Sequence, residues 1–245
     1  MSSSTRLLSG AASNAPLAAV PVARFLTLDD IPALVALEAE KWTSEQVASG
    51  DEMAERIACH PDLSLGAFCP VTGKAMASLF MKPVVSSFWE HARDWRDCAM
   101  GATPLRTSSL FGISLSSTGP ECVAAMFAFF WPHALAAGWR HVYLGSPIPG
   151  WRDWQARHPG RSVNEYVLSK GVRGLPIDPQ LRYYAGRGFK EVVCIKRDYF
   201  PHAASRNVGV ILRGTVPLSR WTPVWRGLKP ANTRQFTQWF TPRLS

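Results

Sequence analysis

The sequence predicts a mixed α/β (α+β) fold, in which helices flank a mostly antiparallel, twisted sheet of six to seven strands. Three segments support this prediction. Two apolar runs within residues 63–85, separated by a short turn that contains Gly73, are typical of an antiparallel hairpin. Residues 110–144 have the pattern of a strand, a helix and a strand, which predicts a right-handed βαβ unit. Residues 190–216 predict a closing hairpin.

The remaining elements follow in chain order from apolar periodicity and from turn residues. A strand is expected at residues 20–27, a helix from Ile31 to about Trp42, and a second helix that opens at Thr43 to Glu45 and ends before Pro61. Further expectations are an inserted loop or short helix at 86–107, a buried helix at 120–137 capped by Gly138, a proline-rich loop at 146–150, and short helices at 163–169 and 179–186.

The composition predicts a globular protein that does not span a membrane. The chain has 245 residues, 47% of them hydrophobic, with ten Trp and twelve Phe, which is enough apolar surface for a sizeable core. The longest apolar run, Val123 to Trp131, is far shorter than the roughly 20 residues that span a bilayer, so no membrane partner is expected. The five scattered cysteines lack the spacing of a zinc site, which predicts a reducing, cytoplasmic location and no metal.

Three regions differ in composition. Residues 1–21 are rich in Ser and Ala, without the long apolar segment of a secretory signal, and are predicted to be a disordered N-terminal extension. Residues 22–216 form the predicted folded domain. Residues 217–245 lack periodicity and are predicted to be an irregular tail that wraps the surface or is disordered.

The net charge of +9 is concentrated after residue 138. Such a field suits nucleic acid, the phosphates of a cofactor such as CoA, or an acidic carrier protein that bears a phosphopantetheine arm. The sequence has no zinc finger, no basic helix with heptads and no aromatic RNA-binding motif. Nucleic acid is therefore the least favoured of the three partners.

Two features resemble the GNAT (acyl-CoA N-acyltransferase) superfamily: the order of the predicted elements, and the segment Leu181-Arg-Tyr-Tyr-Ala-Gly-Arg-Gly-Phe189. The second feature is similar to the aromatic-Tyr-x-x-x-Gly-Phe segment of that family. The segments Leu144 to Gly150, Asp178 to Tyr184 and Asp198 to Pro201 resemble a subgroup found beside carrier-protein, ligase or amidohydrolase modules in biosynthetic pathways. The resemblance covers about residues 22–216.

The resemblance implies an acyltransferase that moves an acyl group to an amine of a small metabolite. The donor would be acetyl-CoA, another acyl-CoA, or a thioester on the phosphopantetheine of an acyl carrier protein. Tyr184 stands at the position of the usual general acid. The small, polar face of strand 110–117 and the turn after it would bind the cofactor, through Ser114, Ser116, Ser117, Thr118 and Gly119.

One departure from the family pattern concerns the pyrophosphate of CoA. Family members carry Arg/Gln-x-x-Gly-x-Gly/Ala before the central helix, where backbone N–H groups bind the anion. This chain has Ser116-Ser-Thr-Gly-Pro-Glu121 instead. Pro120 removes an N–H group and Glu121 adds a negative charge, so weak pyrophosphate binding is expected.

The other site predictions rest on position. Ser146 directly follows a strand of the βαβ unit, where ligands collect in α/β sheets, and is the predicted catalytic proton acceptor, with His141 or a water chain as alternatives. Trp42 resembles the aromatic residues that line the acyl pocket in related domains, and the resemblance implies the same role for it. Arg152 and Arg182 are predicted to contact the substrate.

Other interpretations remain open at this point. Tyr184 is also consistent with a half-buried aromatic, and strand 110–117 with an ordinary core strand. A related reaction is decarboxylation of a malonyl thioester followed by loading of the acyl group onto a carrier thiol. That reaction uses His and Thr, and Tyr184 in place of the His argues against it. The divergent phosphate loop also suggests a non-catalytic module that binds a carrier protein.

Overall fold

A computed structural model describes residues 20–41 and 47–225, apart from the side chain of Thr222. The strands of this part of the chain are β1 (Val22–Phe25), β2 (Ser64–Phe68), β3 (Ala75–Val84), β4 (Ser109–Ser117), β5 (His141–Pro147), β6 (Glu191–Lys196) and β7 (Gly209–Thr215). The helices are α1 (Ile31–Lys41), α2 (Gly50–Cys59), α3 (Phe88–His91), α4 (Trp95–Met100), α5 (Pro120–Ala137), α6 (Trp151–Arg157), α7 (Val163–Leu168), α8 (Pro179–Ala185) and α9 (Thr222–Trp225).

The described strands form one seven-stranded sheet in the order β1-β2-β3-β4-β5-β7-β6. All neighbouring strands are antiparallel except β4 and β5, which are parallel because α5 connects them. The predicted mixed, mostly antiparallel sheet of six to seven strands flanked by helices is therefore confirmed, together with the βαβ unit.

Helices cover both faces of the sheet, and each face has its own apolar core. The alternation along β5 shows the division: Leu144 belongs to the core under α5, and Tyr143 to the core under α1 and α2. Helix α5 is apolar nearly all round and ends at Gly138, whose φ of 85° is the left-handed conformation that glycine adopts most easily. In the described ranges, no helix has the length and apolar character needed to cross a membrane.

Helix α2 begins later than the sequence analysis predicted. Its first residue is Gly50, because the Ser49 hydroxyl accepts the Glu52 N–H at 3.2 Å and the Glu52 carboxylate accepts the Ser49 N–H at 2.8 Å. This reciprocal pair is a capping box. The expected opening residues, Thr43 to Glu45, lie outside the described residues. Residues 47–49 are described and are not helical, so α2 does not extend back through them.

Strand β5 is longer than predicted. Ser146 pairs with Val210 and Pro147 with Gly209 of β7, so the first two residues of the expected proline-rich loop lie in the strand. The correction has a simple cause: β7 continues alongside and supplies hydrogen-bond partners that local sequence does not reveal. Helix α6 lies between the predicted loop at 146–150 and the predicted helix at 163–169, where no element was expected.

Two segments outside the βαβ unit also pack against it. The insertion at 86–107 contains α3 and α4, and the Trp95 indole N–H donates to the Ile113 carbonyl of β4 at 2.9 Å. Beyond the predicted domain boundary at residue 216, α9 contacts α5, and the Trp225 indole donates to the Leu218 carbonyl at 3.0 Å. The first residues of the predicted tail therefore wrap the domain surface.

Candidate active site

The parallel strands β4 and β5 separate part of the way along. They pair over four residues, from Ser109 with His141 to Gly112 with Leu144. Beyond that point β4 continues to Ser117 beside β3 and β5 continues to Pro147 beside β7, and in the described part of the chain the two strands do not pair with each other. An opening between the two strands is thus bordered by backbone edges that do not bond each other. Such an edge offers N–H and C=O groups to an extended ligand.

A bulge in β4 coincides with the separation. Phe80 of β3 pairs with Ser114 and Met81 with Gly112, which leaves Ile113 as an extra residue in β4. A bulge of this kind bends a strand and increases its twist. Since Ile113 directly follows the last residue paired with β5, the bulge turns β4 away from its parallel neighbour.

Two of the predicted cofactor residues face α1 and α2 rather than solvent. Ser116 is 1% exposed, and its hydroxyl donates to the Glu38 carboxylate of α1 at 2.7 Å. Ser114 is half-buried, and its hydroxyl lies 3.5 Å from a guanidinium nitrogen of Arg56 on α2. Both serines therefore line the sheet face opposite α5, next to the opening.

The other three predicted cofactor residues form the turn into α5. The Ser117 hydroxyl donates to the Gly119 carbonyl at 2.7 Å and accepts the Gly119 N–H at 3.2 Å. Thr118 is exposed, with its hydroxyl 3.6 Å from the Cys122 sulfur. A Cβ placed on Gly119 would lie 2.2 Å from a carboxylate oxygen of Glu121. A negative charge thus stands at the start of α5, where a pyrophosphate would bind.

A CoA-type co-substrate fits one part of this region better than the other. The edge of β4 that faces the opening suits the amides of a pantetheine arm, which need backbone partners. The start of α5 suits the pyrophosphate poorly, because Glu121 repels it and Pro120 has no N–H to donate. In the described residues, no group of three or more His, Cys, Asp or Glu side chains is placed to hold a metal ion.

Tyr184, the predicted general acid, lies on α8, which contacts β5. Its half-buried ring packs edge-on against Phe189 with 6.2 Å between ring centroids. Burial raises the pKa of the Tyr184 phenol above its ordinary value. The phenol is therefore protonated at neutral pH and able to donate.

A buried carboxylate that sequence reasoning did not assign fixes the position of α8. Asp178 accepts the N–H groups of Gln180 and Leu181 at 2.9 and 3.1 Å, which caps the helix. Its second oxygen accepts the Tyr166 hydroxyl of α7 at 2.7 Å and the Gly150 N–H at 3.1 Å. The signal was present in the sequence, because an Asp directly before a Pro is a common helix start.

Ser146 and Tyr184 are associated with the same side of β5. Ser146 alternates with Leu144, whose side chain belongs to the core against which Tyr184 packs. Ser146 is fully buried, and its hydroxyl donates to the Pro147 carbonyl at 2.9 Å. Its predicted catalytic role stays a prediction.

The predicted substrate-binding residues lie apart from one another. Trp42 is outside the described residues. Arg152 is exposed on α6 and pairs with Asp153 at 3.2 Å. Arg182 is exposed on α8, and its guanidinium donates to the carbonyls of Pro176 and Ile177 at 3.2 and 2.9 Å. The contacts of Arg182 hold the loop before α8.

Two charged residues beside the opening were missed from the sequence. Glu38 is 1% exposed on α1, and burial raises the pKa of its carboxyl group. Arg56 is half-buried on α2, with its guanidinium 5.6 Å from the centroid of the Phe80 ring. Glu38 follows the apolar residues Leu34 and Leu37 at helical spacing, a pattern that predicts a buried position. No local pattern marks Arg56.

Comparison with known proteins identifies the fold. No family model matches the chain and no curated protein matches it. The GphF GNAT-like decarboxylase, solved with isobutyryl-CoA, is similar at a TM-score of 0.65 and 21% identity, over 79% of this chain and 98% of that one. The loading GNATL domain of CurA from Lyngbya majuscula gives a TM-score of 0.67 and 15% identity, over 80% and 98% of the two chains.

A third structure is similar over a smaller share of its length. Malonyl-CoA decarboxylase from Rhodopseudomonas palustris gives a TM-score of 0.53 and 14% identity, over 88% of this chain and 62% of that one. Identities of this size establish a common fold and leave the reaction open. This chain has the fold of the GNAT superfamily, in the form seen in GNAT-like decarboxylase and loading domains.

Proposed function

We propose that this protein transfers an acyl group from a thioester of CoA or of a carrier protein to the amine of a small metabolite. The observation that supports this proposal is the opening between β4 and β5, where the two strands no longer pair with each other. An extended pantetheine arm is a chain of amides, and it can pair with a free strand edge as another strand would. The thioester at its end would then lie beside Ile113, where the strands separate.

The proposed chemistry assigns a task to Tyr184. The nitrogen of the neutral amine attacks the thioester carbon, and the carbon–sulfur bond breaks as the new carbon–nitrogen bond forms. The phenol of Tyr184 gives its proton to the departing thiolate, and the tyrosinate regains a proton from water. The amine loses its proton to water in this scheme, because Ser146 is buried and its hydroxyl already donates to Pro147.

The negative charge at the start of α5 favours one type of acyl donor over another. With Glu121 against Gly119, a carrier-bound phosphopantetheine is the better fit, since its phosphate is a single group and carries no adenosine diphosphate. We expect Glu121→Gln to tighten binding of acetyl-CoA severalfold and to leave binding of acetyl-pantetheine unchanged. Calorimetric titration of both ligands measures this difference. Equal tightening of both would contradict a role for Glu121 at the phosphates.

The first test of the proposal is binding of CoA, acetyl-CoA and a longer acyl-CoA, measured by calorimetry, followed by thiol release with a panel of amines. Binding of at least one thioester with amine-dependent thiol release is the expected result. Conversion of malonyl-CoA to acetyl-CoA and CO2, followed by mass spectrometry, would instead support the decarboxylase alternative. Absence of both thioester binding and thiol release would count against catalysis.

Tyr184→Phe tests the assigned acid. We expect turnover to fall by about one to two orders of magnitude with donor affinity unchanged, since one general acid contributes about that much. Tyr183→Phe is the matched control, because Tyr183 neighbours Tyr184 on α8 but is 36% exposed. Turnover that is equal in the two variants would remove Tyr184 from the mechanism.

A further inference from the structure

The guanidinium of Arg56 has few hydrogen-bond partners among the described residues, although a half-buried guanidinium is expected to have several. It lies in the last turn of α2, half-buried, above the Phe80 ring. Its one hydrogen bond to a described residue is the long contact of 3.5 Å with the Ser114 hydroxyl, and no described carboxylate lies within 4 Å of it. A guanidinium has five N–H donors, so most of its hydrogen-bonding capacity is left unused by residues 20–41 and 47–225.

The position of Arg56 relates it to the opening. Ser114 is the second residue of β4 beyond the last pair with β5, and it directly follows the bulged Ile113. Arg56 reaches Ser114 from the face of the sheet covered by α1 and α2. Tyr184 packs against the core on the opposite face. A thioester held between the strands would thus have the acid on one side and the guanidinium on the other.

The carboxylates near Arg56 do not prevent its guanidinium from attracting an anion. Glu52 and Glu55 are exposed on α2, where solvent screens their fields, and the Glu52 carboxylate already accepts the Ser49 N–H. Glu38 is buried and accepts a hydrogen bond from Ser116. Burial lowers the pKa of Arg56 while these three carboxylates oppose that shift. An arginine still keeps its charge at neutral pH.

We propose that Arg56 binds a carboxylate of the reacting molecules, so that the substrate is an amino acid-like amine or the acyl group is itself a dicarboxylic acid. The inference rests on the proposed function and narrows its substrate class. The planar fork of a guanidinium matches the two oxygens of a carboxylate, and a partly dry site strengthens the contact. The Ser114 hydroxyl lies beside the fork and can donate to the same carboxylate.

Two arms distinguish the two sources of the carboxylate. In the acceptor arm, thiol release from acetyl-CoA is measured with amines matched in pairs, glycine with glycinamide and L-alanine with L-alaninamide, and likewise for the other amino acids. In the donor arm, malonyl-CoA and acetyl-CoA are compared by calorimetric titration. Each arm is run with wild-type protein, Arg56→Gln, Arg56→Lys and the control Arg93→Gln, whose parent residue is exposed and paired with Asp97 at 2.9 Å.

We expect wild-type protein to prefer the carboxylate-bearing member in one arm by about tenfold or more, as charged hydrogen bonds allow. Arg56→Gln should abolish that preference. Arg56→Lys should retain part of it, and Arg93→Gln all of it. A structural role at the end of α2 would alter thermal stability in Arg56→Gln without altering the preference.

The outcomes separate the two proposals. No preference in either arm, or a preference that survives in Arg56→Gln, would overturn the carboxylate site even in a protein that turns over acetyl-CoA. A preference for malonyl-CoA without any amine-dependent thiol release would retain the site and count against amine acylation. Should Arg56→Gln fail to fold, Arg56→Lys decides, because a retained point charge without the fork must weaken the preference.

Discussion

Two buried tyrosine hydroxyls in this protein differ in their hydrogen bonding. Tyr166 and Tyr199 are 3% and 1% exposed, so both side chains are shielded from solvent. The Tyr166 hydroxyl donates to the Asp178 carboxylate at 2.7 Å. The Tyr199 hydroxyl lies against Gly145, and its neighbouring polar group among the described residues is the Cys98 thiol, a weak partner. A poorly satisfied buried polar group costs up to about 1–3 kcal/mol, so the two hydroxyls affect stability in opposite directions.

We therefore expect opposite results from the two tyrosine-to-phenylalanine changes. Tyr166→Phe should lower the free energy of unfolding by about 2 kcal/mol, because it removes a hydrogen bond to a charged group. Tyr199→Phe should leave that free energy unchanged or raise it by about 1 kcal/mol. Urea unfolding of both variants measures the difference. An equal loss in the two variants would mean that the Tyr199 hydroxyl has a partner in solution.

At the scale of elements, Asp178 joins three parts of the chain that the sequence separates. It caps α8, accepts the hydroxyl of Tyr166 on α7 and accepts the N–H of Gly150 after β5. Since Tyr184 lies on α8, the placement of the proposed acid relative to β5 depends on this one carboxylate. Asp178 acts through α8 and is a positioning residue.

Asp178→Ala should lower the free energy of unfolding by about 3 kcal/mol, because it removes a helix cap and leaves two buried donors unpaired. Asp178→Asn keeps an oxygen for the cap and should cost less. Asp153→Ala is the control, since its ion pair with Arg152 is exposed and worth about 0–1 kcal/mol. A loss in Asp178→Ala no larger than that of Asp153→Ala would contradict the capping role.

At the scale of the whole molecule, Glu38 connects α1 to the middle of the sheet. Its carboxylate accepts the hydroxyl of Ser116, which lies 78 residues away in sequence on β4. Burial raises the pKa of Glu38 above its value in the unfolded chain. The folded protein thus binds this proton more tightly than the unfolded chain, and the associated stability is present at low pH and lost as pH rises through the folded pKa.

Glu38→Gln removes this pH dependence. The variant should gain stability relative to wild type as pH is raised above the ordinary carboxyl pKa of 4.5 and through the raised pKa of folded Glu38, because an amide has no charge to desolvate. Glu40→Gln is the matched control on α1, since Glu40 is exposed and paired with Lys74 at 2.9 Å. Urea unfolding of all three proteins across this range provides the measurement. A stability difference between Glu38→Gln and wild type that does not change with pH would contradict the assigned pKa.

Local sequence patterns were sufficient to predict most elements and the fold class. Apolar alternation over 110–117, the Gly138 cap and the Asp178-Pro helix start are local signals, and the corresponding β4, α5 and α8 are present. The segment ending at Phe189 also pointed to the GNAT fold, which the comparisons confirm. Each of these signals is contained within a few residues, and sequence patterns report reliably at that range.

The geometry of the candidate site depends on how distant parts of the chain pack together. The separation of β4 from β5, the length of β5 and the burial of Ser146 depend on pairing with β7 and on a bulge opposite Phe80. Glu38 and Arg56 meet Ser116 and Ser114 across 78 and 58 residues of sequence. Hydrogen bonds and burial of that kind arise when distant elements pack together, and no period of 2 or 3.6 residues encodes them.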